Sequence, residues 1–144
     1  MGQPRDLEWS IDPGGRGGDS HVGFEVAIAV PERILRIVGW GLWPASLAKA
    51  YREAMLAGFR RLRGQPWAVL SDRRRGSTQS DEVRAVMSDV MDRATTMGRD
   101  RAAVLVSGAV LRLQMQRLAT EAHVTQRYFD DEAEALEWLL ARHP

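Results

Sequence analysis

Between Trp67 and Ser107 the chain changes its hydrophobic period twice, and that sequence of periods admits few folds. A short apolar run, Trp67-Ala-Val-Leu70, stops at Ser71-Asp72, and seven residues of Arg, Gly, Ser, Thr and Gln follow. Val83, Met87, Val90, Ala94 and Met97 then recur at helical spacing, Gly98 closes the pattern, and a second apolar run extends from Ala102 to Val106. Buried strand, loop, one-faced helix and buried strand together make a βαβ crossover, the unit of a parallel sheet covered by helices. On this reading the 83/87/90/94/97 stripe lies buried, and Met87→Ala is expected to cost roughly 2–5 kcal/mol as core truncations do.

Either side of the crossover the same logic extends the fold. Val22, Phe24, Val26, Ile28 and Val30 alternate with smaller or polar residues, as in a strand buried on one face. Pro31-Glu32 reverses the chain, and Arg33 to Trp40 returns as a strand whose Ile34-Leu35 and Ile37-Val38 pairs suit burial on both faces. Gly39 and Gly41 allow a sharp turn into a helix with Pro44 in its first turn and Leu47, Tyr51, Ala54, Gly58 and Leu62 on its inner face. Gly64-Gln-Pro66 ends it. After Ser107-Gly108, the spacing of Leu111, Met115, Leu118 and Ala122 predicts a third helix that ends at His123. Val124 to Phe129 is a last short strand, and Asp131 with Glu134 has capping-box spacing ahead of a helix facing in through Leu136, Leu139 and Leu140. The predicted order is β-β-α-β-α-β-α-β-α: an α/β domain with an N-terminal hairpin, then βαβ units, and helices packed on a small mixed sheet.

With 144 residues the chain can bury one core. The domain is expected over 22–144. Residues 1–21, with five Gly and two Pro and the run Gly14-Gly-Arg-Gly-Gly18, read as a flexible tail whose deletion would leave the melting temperature nearly unchanged. Leu7, Trp9 and Ile11 alternate within it as a strand would.

Several function classes are disfavoured. Zero Cys removes disulfides, zinc–thiolate sites and thiol nucleophiles, and fits a reducing cytoplasm. No run approaches the ~20 apolar residues of a membrane span. A net charge of +1 argues against a dedicated nucleic-acid binder. His21, His123 and His143 are scattered, which speaks against a metal site, and no G-x-S-x-G elbow or phosphate loop occurs. No catalytic residues and no cofactor are assigned.

The loop after the first strand of the crossover is the better candidate. Arg73, Arg74, Arg75, Ser77 and Thr78, with Ser80 and Asp81 at the helix start, follow the carboxyl end of a parallel strand, where open α/β sheets place ligands and partners. A basic loop there suits a protein partner, and substitutions in it are expected to leave the fold intact, even charge reversal of all three Arg. Asp81 and Glu82 complement the helix dipole and oppose a phosphate at that terminus. Trp40 and Trp43, with Ser107, are the candidate borders of a small-ligand cleft.

The element order, the strand ending Leu70-Ser-Asp72, and the stretch from Leu111-Arg-Leu-Gln-Met-Gln-Arg-Leu118 to Tyr128-Phe-Asp-Asp-Glu-Ala-Glu-Ala-Leu-Glu-Trp-Leu139 resemble STAS domains, more narrowly the SpoIIAA-like (STAS/SEC14-type) group of stand-alone bacterial proteins. The resemblance covers roughly 22–141. It implies a mostly non-enzymatic regulatory protein. Its partner would be a protein, kinase-like or sigma-regulatory, or a second copy in a homodimer; a bound lipid or nucleotide is the alternative. In that group's antagonists a phosphorylated Ser preceded by Asp opens the helix after the third strand. Laying Asp72 on the strand-end Asp puts Ser80-Asp81-Glu82-Val83 there, with the Asp–Ser order reversed and the following glycine absent. The expectation is that this chain does not use a Ser phospho-switch.

Overall fold

A computed structural model describes residues 7–108 and 125–141. The described elements are β1 (Arg16–Gly18), β2 (Gly23–Ala29), β3 (Ile34–Trp40), α1 (Ala45–Leu62), β4 (Trp67–Asp72), α2 (Asp81–Thr96), β5 (Arg99–Leu105), β6 (Gln126–Phe129) and α3 (Glu132–Leu140). The predicted helix through Leu111, Met115, Leu118, Ala122 and His123 lies outside the described residues. The strands form one sheet in the order β1-β2-β3-β4-β5-β6. β1, β2 and β3 are antiparallel neighbours, and β3 through β6 run parallel. This is the mixed α/β sheet expected, with one further strand at its front.

Each face of the sheet has its own core. On the front, Phe24, Val26, Ile28, Leu35, Ile37 and Val69 meet Tyr51, Met55 and Phe59 of α1 and Val83, Val90 and Ala94 of α2. On the back, Ile34, Leu70, Leu105 and Phe129 meet Ala135, Leu136 and Leu139 of α3. β3 contributes fully buried Ile34 to one side and Leu35 to the other, as its paired apolar residues predict. Gly58 lets α1 approach the sheet, since a Cβ there would stand 2.6 Å from Leu35 Cδ1. Ser80 caps α2 by accepting from the Val83 amide at 3.2 Å, and the Asp131 carboxylate caps α3 by accepting from the Ala133 amide at 2.9 Å.

The β2–β3 turn is tied to the end of α1. Arg33 adopts a left-handed φ of 59°. Its guanidinium donates to the Leu62 and Pro66 carbonyls, so hairpin and helix terminus hold each other.

Three expectations need correction. First, within residues 7–21 the chain belongs to the sheet. Ser10 forms a bridge with Ile28, β1 pairs with β2, Arg61 Nη1 contacts the Asp12 carboxylate at 2.6 Å, and Leu7 and Trp9 pack on the back core. Gly17 is required there because a Cβ would meet the Phe24 ring at 2.4 Å. Second, β2 is buried on both faces: Ala27 and Ala29 are covered as well as Val26 and Ile28. Third, Met87 is half-buried, and with Met91 it borders a cleft while Val83, Val90 and Ala94 carry the buried stripe.

Candidate functional site

β4 does not end its alternation at Asp72. The Arg73 amide donates to the Leu105 carbonyl at 2.9 Å, extending the β4–β5 ladder by one residue into the loop. Successive side chains therefore keep pointing to opposite faces. All four residues from Ser71 to Arg74 reach the cleft, but Asp72 and Arg74 are also tied into an ion network with Arg36 and Glu132 of α3, whereas Ser71 and Arg73 have no such partners.

That network is saturated. Asp72, only 7% exposed, accepts from Arg74 Nη2 at 2.8 Å, from Arg74 Nε at 3.0 Å and from the Arg74 amide at 3.1 Å. Arg36 of β3 reaches the same carboxylate at 3.4 Å and Glu132, the first residue of α3, at 2.7 Å. Burial opposes the charge on Asp72, but the hydrogen bonds and charge of Arg74, helped by Arg36, outweigh it and hold the carboxyl below the usual range. Reciprocally, the hydrogen bond to Asp72 keeps Arg74 more firmly protonated. Arg74 is thus a fastener between loop, sheet and α3, not a free basic residue. Charge reversal at all three Arg would disrupt it, so the expectation that the triple reversal leaves the fold intact does not hold.

Arg75 has a third fate, its guanidinium 5.1 Å from the centroid of the Trp40 ring. Trp40 is itself anchored by its indole N–H, which donates to the Asp19 carbonyl at 2.7 Å. The loop is then strapped to the β3–α1 turn by Gln79, whose amide nitrogen donates to the Gly41 carbonyl and whose amide oxygen accepts from the Trp43 N–H, each at 2.8 Å. The Ser107 hydroxyl donates to the Arg74 carbonyl at 3.3 Å.

Between this strapped loop, α2 and the carboxyl ends of β3 and β4 lies a cleft of about 630 Å³. Ile37, Trp43, Met87, Met91 and Val106 make its apolar walls. Ser71, Ser77 and Thr78 supply hydroxyls and Arg73 a cation at its edge. Tyr51 sits deeper, its ring 5.1 Å from that of Trp43. It is 4% exposed, and burial pushes its phenol up to about 12 against the opposing charge of Arg73. An apolar cavity with few convergent polar groups, at the carboxyl end of parallel strands, is the usual form of a small-ligand site.

The two candidate regions thus converge. Trp43 and Ser107 border the same cleft as Arg73, Ser77 and Thr78. Trp40 does not border it and serves instead as the platform for Arg75. Ser80 is engaged as a helix cap, and Asp81 pairs with Arg84. Tyr51, Gln79, Met87 and Met91 were not anticipated as site residues. The strand period carried one residue past Asp72 would have separated Arg73 from Arg74; nothing local marks Gln79.

No family model and no curated protein matches this sequence. Among solved structures, the crystal structure of an uncharacterized protein of the DUF3478 family with a SpoIIAA-like fold, from Shewanella loihica PV-4, aligns with a TM-score of 0.65 at 14% identity. The alignment covers 85% of this chain and 99% of that one. The chain has a SpoIIAA-like fold. The resemblance read from its residues is therefore borne out at the level of fold, which is as far as likeness at this identity reaches. In this SpoIIAA-like sheet no described helix is long and apolar enough to cross a membrane.

Proposed function

We propose that this chain is a non-catalytic regulatory module that binds a small ligand in the cleft between the 73–80 loop, α2 and the ends of β3 and β4. The cleft itself carries the reading: about 630 Å³ lies within the range of drug-sized ligand sites, with mostly apolar walls and a few polar groups. The non-catalytic part rests on the resemblance, whose members are mostly non-enzymatic, and the reading places the protein in the cytoplasm. Native mass spectrometry of the purified full chain tests it. Retention of a small molecule, lost when Trp43→Ala empties one wall, is the expected result. A chain that flies without adduct and gives no cleft response to added apolar ligands overturns it.

A second reading has a protein partner, kinase-like or sigma-regulatory or a second copy, docking on the 73–80 loop and the outer side of α2. The exposure of every residue from Arg73 to Thr78 around the cleft mouth favours it. Arg73→Glu alone is the clean test, since it leaves the Arg74–Asp72 fastener in place. Loss of binding in this variant, with an unchanged fold, supports that surface. A phospho-switch at Ser80 has no support here, because its oxygen already accepts from Val83 and phosphate would stand beside Asp81 and Glu82. Stoichiometric phosphate at Ser77, Thr78 or Ser80 in the native protein would restore it.

A further inference from the structure

The cleft's charges specify more than its volume does. Four Arg residues lie around it or on its loop, and their counter-charges differ. Arg74 is bound to Asp72, Arg84 pairs with Asp81, and Arg75 lies over Trp40. Arg73 remains. It borders the cleft, and among the described residues its guanidinium has no carboxylate partner. The second uncommitted polar group lies deeper: among the described residues the Tyr51 hydroxyl has no hydrogen-bond partner, and from a side chain only 4% exposed it opens into the same cavity. Because that oxygen faces open cavity, its O–H is free to donate to a bound ligand, and a ligand that covered it without an acceptor would be disfavoured.

We infer that the cleft takes a singly charged organic acid, one carboxylate on an apolar body. The carboxylate is held by Arg73 at the mouth, and the body lies between Trp43 and the Met87–Met91 wall, with the Tyr51 phenol donating to an acceptor of the ligand. This rests on the ligand-cleft reading above and narrows it. One unbalanced guanidinium matches one negative charge, in the planar two-point geometry that Arg offers a carboxylate. A phosphate monoester, with a second charge, finds no second cation without a carboxylate partner among the described residues that line the cleft, since Arg74 is held by Asp72 and Arg84 by Asp81, and two acids, Asp81 and Glu82, stand in the first turn of α2. Nucleotides are therefore disfavoured. Thioether and indole walls accept irregular apolar shapes, so alkyl and aromatic acids share the required chemistry.

The test is an NMR titration of the full chain, carbon-labelled at its methionine methyls, with octanoate, naphthoate, octanol and octyl phosphate. The Met87 and Met91 methyls report occupancy. The expected result is that octanoate or naphthoate shifts both methyls and binds about tenfold or more tightly than octanol. Whichever of the two acids binds more tightly identifies the body as alkyl or aromatic. Octyl phosphate should bind no more tightly than octanoate. Arg73→Gln, an exposed position, should erase the preference for acid over alcohol without moving the melting temperature. Tyr51→Phe, which keeps the ring, should weaken the acid several-fold. Equal binding of acid and alcohol, an unaffected Arg73→Gln variant, or tighter binding of the phosphate would overturn the inference and leave the ligand cleft standing. No methyl response to any of the four would remove both.

Discussion

The front and the back of the sheet meet at the end of β4, and they handle charge in opposite ways. On the back, Asp72, Arg36, Arg74 and Glu132 satisfy one another beneath α3. One residue along in each case, Ser71 and Arg73 border the open cleft on the front without such partners, although Asp72 and Arg74 reach its lining too. The same three-Arg run thus supplies a structural fastener, a rim stack on Trp40 and a free cation. A cluster of like residues in sequence is not a patch in space when a strand's alternation runs through it. The back holds the loop so that the front can remain unfilled.

This contrast can be broken most severely by opening the back. Deleting residues 7–18 removes β1, the Ser10–Ile28 bridge and the cover that Leu7 and Trp9 give the back core. The melting temperature should fall by more than about 10 °C, since each kcal/mol is worth a few degrees in a domain of this size. A scanning-calorimetry shift under about 2 °C would mean that the segment adds nothing and that the flexible-tail reading was right in effect.

Asp72→Ala comes next. It leaves Arg36 and Arg74 sharing only the Glu132 carboxylate. The cost should be about 3 kcal/mol by urea denaturation, the low end for breaking a buried pair because both guanidiniums keep some solvent. The pH dependence carries the same signature. Since the folded state holds the Asp72 carboxyl below its unfolded value of about 3.9, its stabilisation is complete above that value. It is lost as pH falls through 3.9 towards the lowered folded value. Stability measured from pH 6 downward should therefore fall more steeply in the wild type than in Asp72→Asn. Parallel curves would show that the network is not coupled to folding.

Smaller effects separate the faces further. Arg74→Glu, on the back, should cost about 2 kcal/mol, whereas Met87→Ala, on the half-buried cleft wall, should cost about 1 kcal/mol, below the range for fully buried methionine. Arg73→Glu should cost less than about 0.5 kcal/mol, as exposed substitutions do. If Arg73→Glu destabilises as much as Arg74→Glu, the front–back distinction fails.

The fold was legible where side chains are periodic. β3, β4, β5, α1 and α3 follow from runs and spacings that only one geometry satisfies. β1 was not, because Arg16-Gly-Gly carries almost no side chain to alternate. Gly17 is there so that the Phe24 ring can lie against the backbone, a demand set by a residue seven positions away. The site was half legible. Loop position pointed to the right end of the sheet, and Trp43 and Ser107 to the right cleft. What separated Arg73 from Arg74 was one ladder hydrogen bond beyond the last predicted strand residue, and Met87 and Met91, which pack on the edge of the front core, reach the cleft wall because they are only half-buried there.

The order of the sheet has a consequence of its own. Every described strand lies beside its immediate predecessor among the described strands, from β1 through β6. From β1 to β5 no ladder waits for a distant segment, and each can close over a short loop or a single helix, which keeps the entropy of closure small. As the chain leaves the ribosome, the hairpin and β4 can associate before β5 is synthesised, and each later strand adds to an edge that already exists. Growth of the sheet thus follows the direction of translation, and the cleft is complete only once β5 has supplied the Leu105 carbonyl that carries Arg73 to the front.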